Sequence, residues 1–224
     1  MSLCAMILAA GRGSGMRHLT DDVPKPLIKV NHQALIIHQI EALVRRGVKK
    51  IIINVAYLAQ MIVDHVGFCE RWGIEIIYLY EKMAAYDTGG GVRRALKWLS
   101  DPFILVNADV YSDYDYKRLF ALAAKQSVEN VHLVLVPNPA HNPKGDFALS
   151  TEGVVQSVES TISYTYAGIS LLTKQSFNSI EVGQKVALPA IWQALIEQGQ
   201  VTGELHMGSW YDVGTPERWQ VVNR

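Results

Sequence analysis

The chain reads as an α/β protein with a mainly parallel, mixed sheet flanked by helices. Three observations predict it. Short apolar runs alternate with stretches of helical period, as in βαβ units. A glycine-rich turn follows the first apolar run directly. Past residue 140 the pattern changes to short strands and turns, which makes the sheet mixed.

Five runs read as buried strands: LCAMIL (3–8), KIIINVA (50–56), IEIIYLY (74–80), FILVNA (103–108) and VHLVLVP (131–137). Between them, Ile36, Ile37, Ile40, Leu43 and Val44 recur on one helical face, and Gly47 is the stop. Thr88 is placed to cap a helix carrying Val92, Ala95, Leu96 and Leu99. In the later part GDFALS (145–150), GVVQSVE (153–159) and YTYAGISLL (164–172) alternate as strands. A helix then runs around Leu188, Ile191, Trp192, Leu195 and Ile196. SWYDVGTPERW (209–219) gives a strand, a turn and a last helix, with Thr215 as cap and Pro216 at its first position. No repeat, low-complexity tract or linker interrupts this order, so residues 1–224 are expected to form one domain.

Composition excludes several classes. Lysine plus arginine equals aspartate plus glutamate, 21 each, so no global basic excess points to nucleic acid. No run reaches the ~18 apolar residues of a spanning helix, and the N-terminus lacks a signal peptide's basic lead, so no membrane association is expected. Cys4 and Cys69 make neither a disulfide framework nor a zinc quartet, which suits a reducing, cytoplasmic compartment. His18, His38, His65 and His141 have no zinc-like spacing and read as surface or satisfied histidines. Trp98, Trp192 and Trp219 fall on helical stretches and read as core.

The chemistry concentrates in LAAGRGSGMRHLTDDVPKPL (8–27). Gly11, Gly13 and Gly15 follow a strand, where bare amides can converge on an anion; the same glycines also suit a plain tight turn. The spacing matches neither a dinucleotide fingerprint nor a P-loop. Arg12 and Arg17 stand close by, and Pro24 and Pro26 mount Lys25 on a stiff, extended segment.

This stretch resembles the signature of the nucleotidyltransferases that make nucleoside-diphosphate sugars. The likeness continues through DTGGGV (87–92), FILVNADV (103–110), GDF (145–147), YAGISLL (166–172) and WYDVGTPERW (210–219). It implies a Rossmann-like, GT-A-like fold, here without the left-handed β-helix that many relatives append, and a monomer is expected. Within the family, the order and spacing are similar to the short uridylyltransferase branch of peptidoglycan recycling. That implies UTP and a sugar 1-phosphate, N-acetylmuramic acid 1-phosphate, as substrates, and Mg2+ as cofactor. Guanylyl or thymidylyl transfer to another sugar 1-phosphate is the alternative within the family.

By the same resemblance, Ala9, Ala10, Gly11, Arg12, Gly13, Glu81 and Gly89 contact the nucleotide, although Glu81 also reads as the end of an edge strand. Asp109 and Asp212 hold the metal; alternatively both are turn acids bonding local backbone. Lys25, Arg17 and Asp109 are the expected catalytic residues. Asn107, Asp146 and Gly168 line the acceptor side, although Asp146 also reads as a turn acid and Gly168 as a strand bulge. The sequence departs from the family at Gly15, where the signature carries an arginine, at His18 for the usual proline, and at Ala108 for a glycine. Gly15 keeps a second class open, a nucleotide-binding homologue with impaired catalysis. If the loop keeps the family geometry, Gly15→Arg is expected to raise turnover. Many relatives also carry a lysine in an E-K-P-like turn, and VESTISYTYAGI (158–169) has none.

Overall fold

The computed structural model describes residues 2–83, 86–158 and 162–223. The strands are β1 (Cys4–Leu8), β2 (Lys29–Val30), β3 (Gln33–Ala34), β4 (Lys50–Val55), β5 (Glu75–Tyr80), β6 (Phe103–Asn107), β7 (Val110–Ser112), β8 (Val131–Val136), β9 (Ala148–Leu149), β10 (Val155–Gln156), β11 (Thr165–Leu172), β12 (Val201–Leu205) and β13 (Trp210–Asp212). The helices are α1 (Leu35–Arg45), α2 (Ala59–Val66), α3 (Asp87–Ala95), α4 (Lys117–Ala124), α5 (Leu188–Glu197) and α6 (Pro216–Val222). All five apolar runs are strands of one 7-stranded sheet, ordered β12-β8-β11-β6-β1-β4-β5. Neighbours pair in parallel except at β11, which runs against both β6 and β8.

Alternation along each strand divides the core into two layers. Ala5, Ile7, Ile51, Ile53, Ile104 and Val106 face Ile36, Ile37 and Ile40 of α1. Cys4, Met6, Ile52, Phe103 and Leu105 face Val92 of α3 and Leu188, Ile191 and Trp192 of α5. Trp192 is core as expected, only 1% exposed. Trp98 and Trp219 are only partly buried at the edges of their clusters.

The chain passes from β1 through α1 to β4 on one side, and only later, through α3, to β6 on the other. The carboxyl ends of β1 and β6 therefore lie together at a switch point, where open α/β sheets leave a crevice. Beyond that crevice, β7 pairs antiparallel with β13, with Val110 opposite Asp212.

Three expectations need correction. Thr88 does not cap its own helix: α3 starts at Asp87 with Tyr86 at the capping position. Thr88 Oγ1 instead accepts the Leu188 N–H at 2.9 Å, so it caps the first turn of α5. The strand expected over 153–159 shortens to β10, and residue 159 lies outside the described residues. The third concerns Gly15. It is the second residue of the 3-10 segment Ser14–Thr20, which packs on α6, and a Cβ there would meet the Gly214 carbonyl oxygen at 2.5 Å. That oxygen belongs to the backbone and not to a flexible side-chain end, so this packing leaves no room for an arginine.

Two outcomes follow for stability. Phe103→Ala removes a fully buried ring whose centroid lies 6.4 Å from that of Phe177. Chemical denaturation should show a loss of about 3–5 kcal/mol, and a loss below about 1 kcal/mol would contradict the packing. Gly15→Arg should lower the Tm and leave turnover no higher; raised turnover at an unchanged Tm would show that the turn packs differently.

Candidate active site

Two clefts open at the carboxyl ends of β1 and β6. The first, of about 400 Å³, is lined by Leu8 through Gly13, Lys25, Pro26, Asn54, Ala56, Glu81 through Met83, Asp87, Thr88 and Asn107 through Asp109. The second, of about 380 Å³, takes in Asn107, Asp109, His141, Asn142, Asp146, Thr165, Gly168, Trp210 and Asp212. Asn107 and Asp109 belong to both, so the clefts share a wall.

The glycine turn owes its shape to Lys25. Gly13 sits at φ 71°, and a Cβ on it would lie 2.8 Å from Lys25 Cβ, so glycine lets the loop close over the lysine stem. Only Pro24 takes the extended conformation: contrary to the expected extended segment, Lys25 opens a 3-10 turn (Lys25–Leu27), because a proline is tolerated in the first turn of a helix. With Pro26 buried in that turn, Lys25 is mounted at the cleft with its side chain only 16% exposed. Its ammonium pairs tightly with Asp109 Oδ2. Arg12 lines the same cleft, held by a 2.7 Å bond to the Thr20 carbonyl and stacked 3.9 Å from the Tyr57 ring centroid.

The far wall is organised by Asn54, a polar residue inside the apolar run KIIINV. Its Oδ1 accepts the Ala9 N–H at 2.9 Å, and its Nδ2 donates to Glu81 Oε1 at 3.2 Å. Burial pushes the Glu81 carboxyl up from its ordinary value, against the Asn54 bond and the nearby Arg94 charge. Gly91 gives this carboxylate room, since a Cβ there would stand 2.9 Å from Oε1.

Asp109 and Asp212 meet through the β7–β13 ribbon. Asp109 directly precedes β7, its carbonyl accepts the Val213 N–H at 3.0 Å, and Asp212 ends β13. Arg218 reaches back to Asp212 Oδ2 at 2.9 Å across Gly214, where a Cβ would strike the guanidinium. His141 Nε2 approaches the same oxygen at 3.5 Å. Burial first, and then the charge of Asp109, raise the Asp212 carboxyl above its ordinary value. Two carboxylates held close against their own repulsion fit a divalent cation, which takes one or two carboxylates alongside phosphate oxygens. Among the described residues no larger group of metal-ligating side chains exists.

Of the expected nucleotide contacts, Ala9, Ala10, Gly11, Arg12, Gly13 and Glu81 line the first cleft. Gly89 does not. Its amide donates to the Val186 carbonyl at 2.9 Å and a Cβ would strike Val186, so it packs α3 against the segment before α5. Arg17 is not brought to either cleft: its side chain is 70% exposed and pairs with Glu217 at 3.3 Å. Asn107, Asp146 and Gly168 line the second cleft. Gly168, at φ 72°, lies within the register shift of β11 and backs onto Asn107. Asn54, His141 and Arg218 were missed, and only Asn54 left a trace in the sequence, as an amide within a buried run.

Comparison with known proteins gives these clefts a context. Residues 4–223 match the family described as Nucleotidyl transferase. Over 214 residues the chain is 39% identical to N-acetylmuramate alpha-1-phosphate uridylyltransferase of Neisseria meningitidis serogroup B, covering 94% of this chain and 93% of that one. It is 31% identical to the protein of the same name from Caulobacter vibrioides over 224 residues, covering 95% and 92%. The backbone matches the crystal structure of HddC from Yersinia pseudotuberculosis with a TM-score of 0.80, at 21% identity, over 98% of this chain and 97% of that one, a likeness of fold. A match spanning nearly every residue, on a sheet whose crevice carries the glycine turn, shows that this chain belongs to the nucleotidyl transferase family and is an enzyme of the kind that transfers nucleotidyl groups to sugar 1-phosphates.

Proposed function

We propose that the chain transfers a uridylyl group from UTP to N-acetylmuramic acid 1-phosphate, with Mg2+, as a cytoplasmic monomer serving peptidoglycan recycling. The observation that carries this reading is the shared wall: Asn107 and Asp109 border both clefts, so a nucleotide in one meets an acceptor from the other at Asp109. The choice of uridine and muramate rests on the two relatives that cover nearly the whole chain.

In this reading a phosphate oxygen of the sugar 1-phosphate bonds to the α-phosphorus of UTP, and the bond from that phosphorus to the bridging oxygen breaks, releasing pyrophosphate. The reaction crowds anions together, so positioning and charge do most of the work. The main chain of Ala9–Gly13 lies along the triphosphate, with Arg12 at its edge. Lys25 exchanges part of its contact with Asp109 for a phosphate oxygen, following negative charge as it develops. Asn54 fixes Ala9 and Glu81 in one frame, which sets the backbone and the carboxylate that face the nucleoside. Asp109 and Asp212 would hold the magnesium, which when bound neutralises phosphate charge. Arg218 balances Asp212 from behind and keeps that carboxylate aimed at the shared wall.

A second reading, a nucleotide-binding homologue with little catalysis, draws on Gly15, which places no cation where the family signature has one. One assay separates the two. Pyrophosphate release, measured across several nucleoside triphosphates and sugar 1-phosphates, should be fastest with UTP and N-acetylmuramic acid 1-phosphate. Preference for another pair would replace the substrate assignment, and UTP binding without pyrophosphate from any acceptor would favour the silent homologue. Asp109→Asn should lower turnover by at least about 10²-fold with an unchanged circular dichroism spectrum; full activity would remove Asp109 from the site.

A further inference from the structure

Apart from the cation that Asp109 and Asp212 would hold, the second cleft offers its proposed ligand little positive charge. Asp109, Asp146 and Asp212 all line it, yet a sugar 1-phosphate is itself an anion. The nearby cations are engaged: Lys25 pairs with Asp109, and Arg218 with Asp212. The sequence has no lysine or arginine between Lys144 and Lys174, the span that supplies Asp146, Thr165, Tyr166 and Gly168 to the lining. Among the lining residues His141 alone is basic.

We infer that His141 is the ligand of the acceptor phosphate, donating a ring N–H to one of its oxygens. This rests on the reading of the second cleft as the sugar 1-phosphate site. The ring stands where the reaction needs a donor, since Nε2 lies 3.5 Å from Asp212 Oδ2 beside the wall shared with the nucleotide cleft. That separation exceeds the usual range of an N–H···O bond, so the ring is not committed to the carboxylate. Its place beside Asp212, in the cleft that Asp109 also lines, favours the attacking phosphate, rather than a carboxylate elsewhere on the sugar, as the group it meets.

The loop carrying His141 is held before any ligand arrives. The Asn142 N–H donates to the Pro139 carbonyl at 2.9 Å, and the Gly145 N–H to the Asn142 carbonyl at 3.1 Å. Asn142 Nδ2 reaches Asp146 Oδ1 at 3.0 Å and Thr165 Oγ1 at 3.1 Å, and Asp146 Oδ2 accepts the Tyr166 N–H at 2.8 Å. Both oxygens of Asp146 thus brace the loop onto β11. Asp146 is in this account a positioning residue for His141, and its negative charge is partly absorbed by those donors.

The test compares wild type, His141→Ala and His141→Lys, with UTP saturating and two acceptors, N-acetylmuramic acid 1-phosphate and N-acetylglucosamine 1-phosphate. His141→Ala should raise the KM for both acceptors by the same factor, about tenfold to a hundredfold, leave the KM for UTP unchanged, and be largely rescued by His141→Lys. An unchanged acceptor KM would overturn the inference, as would an equal rise in the KM for UTP. A rise confined to the muramate substrate would assign the ring to the sugar's own carboxylate and overturn it too. A readout independent of turnover is the NMR shift of the His141 ring nitrogens on adding sugar 1-phosphate alone. If wild type is inactive, a shift in the titration upholds the ligand role while the transferase reading fails; no shift with an active enzyme overturns the role alone.

Discussion

The pairing of β7 with β13 is the constraint on which the site depends. It sets Val110 opposite Asp212 and joins Asp109 to Val213 through the backbone, so two acids far apart in the chain share one small volume. Burial, and after it this closeness to Asp109, raises the Asp212 carboxyl above its ordinary value. The fold sustains the closeness with Lys25 on one acid and Arg218 on the other. Lys25 is stiffened by its flanking prolines, and Gly13 and Gly214 supply the clearances that let Lys25 and Arg218 reach their partners.

In the proposed reading this electrostatic arrangement explains why the glycine turn at the first cleft is mostly backbone. Main-chain amides present partial positive charge with little volume, so a triphosphate can approach without a bulky cation on every oxygen. Position 15 belongs instead to packing: the Ser14–Thr20 turn lies on Gly214, one link in the chain from the residues around Asp212. The glycine turn and the end of β13 are therefore mechanically joined, and side-chain volume added to one is felt by the other.

The sheet was legible because its strands are dense apolar runs, and β1, β4, β5, β6 and β8 lie within a residue or two of the expected bounds. That the glycine turn, Lys25 and the two acids gather at the clefts was legible through their motif. Thr88, Gly89 and Arg17 were misplaced for one physical reason: each has its partner in a distant segment. Thr88 caps α5, Gly89 abuts Val186, and Arg17 pairs with Glu217. Arg218 and His141 stayed hidden because an arginine on a short helix and a histidine in a polar loop carry no local mark. Only the β7–β13 pairing and the bracing of the 138–146 loop bring them to Asp212.

The most direct measurement of the central claim is a crystal structure of the protein soaked with UTP and Mn2+, collected at the manganese absorption edge. An anomalous peak is expected within bonding distance of both Asp109 and Asp212, with the triphosphate lying along Ala9–Gly13 and Lys25. A manganese ion bound away from these two carboxylates, or a triphosphate seated outside the first cleft, would contradict it.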